Sequence, residues 1–70
     1  MQPQLKGRYF IDDREIAEPH AAKQWFHYAD EHEIDVARAI SLWEDAATPD
    51  GHASRDEILR AGIRIVPPER

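Results

Sequence analysis

The chain reads as a small α+β domain of order β-β-α-α-α-β, with a three-stranded antiparallel sheet carrying its helices on one face. Three observations predict this. Two short runs rich in strand formers, Arg8-Tyr9-Phe10-Ile11 and Arg14-Glu15-Ile16-Ala17, flank an Asp12-Asp13 pair. Apolar residues then recur at three- and four-residue spacing through residues 19–47, the period of amphipathic helices. Finally, Ile63-Arg64-Ile65-Val66 alternates as a strand does and is stopped by Pro67-Pro68. An isolated hairpin is marginal, so the last strand is expected to return and pair with it.

Each element has its own signal. Residues 1–6 and 67–70 read as loose tails around one domain spanning 1–70. Asp tolerates the left-handed backbone, which lets Asp12-Asp13 close a tight hairpin; a helix over residues 8–17 is the alternative. Pro19 suits the first position of a helix over 19–32, whose stripe is Ala22, Trp25, Phe26 and Ala29. Glu33-Ile34 is a tight connection, and Asp35 is the N-cap of a second helix with the stripe Val36, Ala39, Ile40, Trp43 and Ala47. Thr48-Pro49-Asp50-Gly51 marks a turn. Ser54 and Glu57 have the spacing of a capping box for a short third helix with Ile58 and Leu59 inward. Gly62 fits the helix C′ position, with Ile63 packing back. Tyr9 and Ile11 leave their strand on one side and Phe10 on the other. Three helices can cover only one of those faces. The second face is expected either to lie under the N-terminal tail through Leu5 or to offer an apolar patch to a partner.

Composition narrows the function classes. Seventy residues, 41% hydrophobic, with ten of the apolar residues alanine, fill one core and leave no room for a deep cleft as well. Catalytic pockets usually need several hundred Å³ (roughly 300 or more), so a non-catalytic protein is expected. Ser41 and Ser54 are the only serines and both have structural readings; Asp12-Asp13 and Glu44-Asp45 are sequence neighbours, which do not face each other on a helix. The three glycines do not cluster into a phosphate loop. His20, His27, His32 and His52 lack the i, i+4 spacing of helical zinc ligands, so neither a metal nor a cofactor is expected; His27 instead meets Glu31 at i+4. The absence of cysteine excludes disulfides within the chain and fits a reducing cytoplasm. The N-terminus lacks the apolar segment of a signal peptide, and no apolar run approaches the ~20 residues of a membrane span.

Charge supplies the functional lead. Of fourteen acidic residues, seven lie between positions 30 and 50: Asp30, Glu31, Glu33, Asp35, Glu44, Asp45 and Asp50. Only Arg38 opposes them, so the segment carries −6, while the other 49 residues, with seven acids and eight bases, carry +1. A second helix this acidic would be repelled by phosphates. Arg55, Arg60 and Arg64 make only a minor basic strip, so direct nucleic-acid binding through a helix-turn-helix is not expected. DNA itself presents one phosphate per ~1.7 Å of axis, and an extended acidic stripe can occupy a groove built for it.

The frame Tyr9-Phe10-Ile11-Asp12-Asp13-Arg14-Glu15-Ile16, with Leu42-Trp43-Glu44-Asp45-Ala46 and Ala61-Gly62-Ile63-Arg64-Ile65, resembles small reading frames of bacterial mobile elements. Its tiny, acidic, cysteine-free format is similar to that of the anti-CRISPR proteins of phages, especially those acting on multi-subunit (type I) effectors. That resemblance implies an inhibitor which binds the basic surfaces of a defence complex and blocks its target DNA, in some members by mimicking it. It carries over no residue role. The seven acids are taken as partner-binding on the charge pattern alone. The expected partner is a basic nucleic-acid-binding protein or effector complex, met by a monomer, with no membrane involved. A regulatory or structural interaction module, pairing through an exposed sheet face or edge, is the alternative.

Overall fold

A computed structural model of the chain describes residues 7–67; the expected tail 1–6, Leu5 included, and residues 68–70 of the expected tail 67–70 lie outside the described residues. The elements run β1 (Arg8–Ile11), β2 (Arg14–Ile16), α1 (Glu18–Glu31), α2 (Val36–Ala46), α3 (His52–Leu59) and β3 (Ile63–Val66). This is the expected α+β order, and the first strands form a hairpin rather than a helix. The sheet order is β2-β1-β3, antiparallel throughout, so the returning strand makes β1 central. Asp12 and Asp13 both adopt positive φ, 52° and 66°, as a type I′ hairpin turn requires.

One face of the sheet supplies Tyr9, Ile63 and Ile65 to the core, with Ile11 and Ile16 partly buried beside them. The helices supply Ala21, Trp25, Ala29, Ala39, Trp43, Ala46 and Ile58. The two indoles set the layer. Trp43 stacks on Tyr9 at 5.4 Å between ring centroids, and the Trp25 indole N–H donates to the Ala39 carbonyl at 3.0 Å. Ala21, Ala29, Ala39 and Ala46 complete the same cluster, each nearly or fully buried.

That packing corrects three expectations. In α1 the innermost line is Ala21, Trp25 and Ala29, so Ala22 and Phe26 move to its flank. In α2 it is Ala39, Trp43 and Ala46, leaving Val36 69% and Ile40 43% exposed. The bond from Trp25 to Ala39 fixes the rotation of α2 and turns Val36 and Ile40 outward. In α3 the helix begins three residues earlier than the capping box implies, with Gly51 at the N-cap. Ser54 is buried inside the helix, where its hydroxyl donates to Asp45 Oδ2 at 2.7 Å, and Leu59 is 53% exposed rather than inward.

The connections show why the helices stop where they do. After α1 the Ile34 N–H bonds the Ala29 carbonyl and the Glu33 N–H bonds the Asp30 carbonyl, which is the Schellman arrangement. Its left-handed C′ position, usually glycine, is held by Glu33 at φ 58°. Asp35 caps α2 as expected, accepting from the Ala37 and Arg38 N–H groups. Gly51 admits no side chain, because a Cβ there would lie 1.9 Å from the Asp45 carbonyl oxygen. Gly62, at φ 84°, turns the chain into β3, and Ile63 packs back fully buried.

The other face of the sheet carries Phe10, half-buried beneath two guanidinium groups. Arg64 lies 4.5 Å and Arg8 5.2 Å from its ring centroid. Arg8 also forks onto Glu15, with N···O distances of 2.9 and 3.2 Å.

Candidate functional site

All seven acids of the 30–50 segment are exposed. Asp30 and Glu31 occupy the last turn of α1, Glu33 the connection and Asp35 the N-cap of α2. Glu44 and Asp45 occupy the last turn of α2, and Asp50 the turn into α3. Nine residues of helix separate Asp35 from Glu44, about 14 Å at 1.5 Å per residue. No lysine or arginine among the described residues lies within ion-pair distance of any of the seven. Glu31 meets the His27 Nε2 at 3.6 Å, the expected i, i+4 contact.

The segment does not form one uniform ridge. Successive helical residues point ~100° apart, so Asp30 and Glu31 diverge, and so do Glu44 and Asp45. Asp45 turns toward α3, where the Ser54 hydroxyl holds it. Arg55 comes close to this end, donating to the carbonyls of Ala46 at 3.0 Å and Pro49 at 3.2 Å and also to that of Thr48. It closes the C-terminus of α2 by satisfying carbonyls that have no helical partner, and it sets a positive charge beside the far cluster. Around the α1–α2 junction the nearest guanidinium in sequence, that of Arg38, forms no ion pair with the acids. Asp30, Glu33 and Asp35 therefore form the least compensated part of the surface.

The fold does not favour most of these acids. Asp30, Glu31, Glu44 and Asp45 sit at helix C-termini, where the helix dipole disfavours a carboxylate by ~0.3–1 kcal/mol each, and neither last turn carries a basic residue. Glu33 sits at φ 58°, where glycine is preferred. Only Asp35, as a cap, and Asp45, bonded by Ser54, do evident structural work.

Beside the junction is a groove that the sequence did not signal. It is lined by Phe26, Ala29, Asp30, Ile34, Val36 and Ala39 and encloses about 270 Å³. The helical period places Phe26, Ala29, Val36 and Ala39 of its wall in the core, and Ile34 in the connection. A second, more polar depression of about 550 Å³ runs along the outside of α2 past Arg38, Ser41, Glu44 and Asp45 to Ser54.

Three groups elsewhere have displaced proton affinities. Burial, and then the nearby Glu18 carboxylate, raise the Tyr9 phenol above its ordinary value. The hydrogen bond from Arg8 holds Glu15 below the usual carboxylate range, and the same contact raises Arg8. Among the described residues, no group of three or more His, Asp or Glu side chains could hold a metal ion. No helix there is long and apolar enough to cross a membrane. No family model, curated protein or solved structure matches this chain.

Proposed function

We propose that this protein is a non-catalytic inhibitor of the anti-CRISPR kind, whose acidic surface docks on a basic nucleic-acid-binding site of a defence complex and keeps target DNA out. One observation carries the reading: an uncompensated set of carboxylates is held where the helix ends and the backbone disfavour them. Residues that break local folding preferences are expected at functional surfaces. A merely solubilising face needs no such placement. The near cluster of Asp30, Glu31, Glu33 and Asp35 supplies the main contact. Glu44, Asp45 and Asp50 extend it along α2, weakened at that end by Arg55.

The test uses purified type I effector complexes and a fluorescent target duplex in a gel-shift assay. Added protein should lower the fraction of duplex bound, more strongly at low salt. The triple variant Asp30→Lys, Glu31→Lys, Glu33→Lys should fold and lose that effect. Inhibition unchanged by the triple reversal would remove the acidic surface from the account.

A further inference from the structure

From the groove between α1 and α2, we infer that the partner is a protein segment that combines cationic side chains with an apolar anchor; this rests on the acidic docking reading above. Phe26, Ile34 and Val36 wall the groove, and its alanine floor leaves space for a side chain. Val36 is the most exposed large apolar residue described, and Ile40 continues the apolar surface one turn along α2. Asp30 lines the groove, while Glu33 and Asp35 flank Ile34 in the chain. An apolar centre inside a charged rim is the layout of a protein-binding surface. A duplex backbone offers only phosphates to its reader, so pure charge mimicry gives no reason for two exposed aliphatic residues here. Charge complementarity selects the occupant: lysine or arginine for the rim and a leucine-sized or aromatic side chain for the notch. An amphipathic helix presents both at i, i+3 and i+4.

Two synthetic helical peptides of equal charge test this, one of leucine and lysine and one of serine and lysine. Each is titrated into the full-length, isotope-labelled chain and followed by NMR. The leucine peptide should bind at least ~tenfold more tightly and shift the amides of Phe26, Ile34, Val36 and Ile40. The double variant Val36→Ser, Ile40→Ser, altered only at exposed positions, should reduce it to the level of the serine peptide. Equal affinities of wild type for the two peptides would overturn the anchor while leaving acidic docking in place. Failure of both peptides to bind would overturn the docking reading as well. A concentration-dependent dimer dissolved by the double variant would put a second copy in the groove and overturn the basic partner.

Discussion

Replacing Glu33 by glycine should make the protein more stable, although nothing is added to its contacts. Glu33 holds the C′ position of the Schellman motif at φ 58°, with its N–H bonded to the Asp30 carbonyl. A left-handed backbone costs a residue with a Cβ ~1–2 kcal/mol. Glycine removes that cost but surrenders ~0.5–1 kcal/mol of extra chain entropy on folding. The expected net gain is ~0.5–1 kcal/mol, or about 2–8 °C in Tm for a domain of this size. Thermal unfolding followed by circular dichroism at two salt concentrations measures it. The control is Glu33→Ala, which removes the same charge without relieving the backbone and should leave Tm unchanged or slightly lower. Equal gains from glycine and alanine would show that charge repulsion, not φ, is the relevant strain, and the reasoning would fail. The glycine variant should also bind the inhibited complex more weakly, because it lacks one carboxylate of the near cluster.

Other substitutions probe the packing that positions the site. Trp25→Phe removes the indole N–H bond to Ala39 and part of a fully buried ring, and should cost ~2–3 kcal/mol by urea unfolding. Gly51→Ala drives a Cβ into the Asp45 carbonyl and should cost ~2–3 kcal/mol; a value near zero would mean that α2 and α3 separate easily. The raised Tyr9 phenol contributes stability that is fully present below its unfolded value of ~10 and is lost as pH rises toward the folded one. Urea midpoints between about pH 9 and 11 should therefore fall more steeply in wild type than in Tyr9→Phe.

The fold was legible because each local signal agreed with the next. Asp12-Asp13 could supply two left-handed residues, Asp35 could cap, and Gly62 could turn the chain into a strand that alternates. The rotation of α2 was not legible. Apolar residues at 36, 39, 40, 42, 43, 46 and 47 spread over nearly half its circumference, about 160° at 100° per residue, and more than one stripe fits the period. The choice depends on a long-range bond from Trp25 that no local pattern encodes. The hydroxyl of Ser54 was ambiguous for a similar reason. Its spacing to Glu57 fits a cap, but Gly51 can approach the Asp45 carbonyl and so starts α3 earlier. The acidic surface was legible as composition. Its division into a compensated and an uncompensated end was not, because the turn before α3, and not any local spacing, brings the Arg55 guanidinium onto the C-terminal carbonyls of α2. The groove was hidden by the same error that buried Val36 and Ile40.

The most direct measurement is the affinity for a purified type I effector complex as a function of salt, for wild type and for the neutral variant Asp30→Asn, Glu31→Gln, Glu33→Gln. Docking through the uncompensated carboxylates predicts a wild-type Kd that rises on the order of tenfold from low to moderate ionic strength. The neutral variant should bind more weakly and with a visibly flatter slope. A Kd indifferent to salt, or equal slopes for the two proteins, would contradict the account.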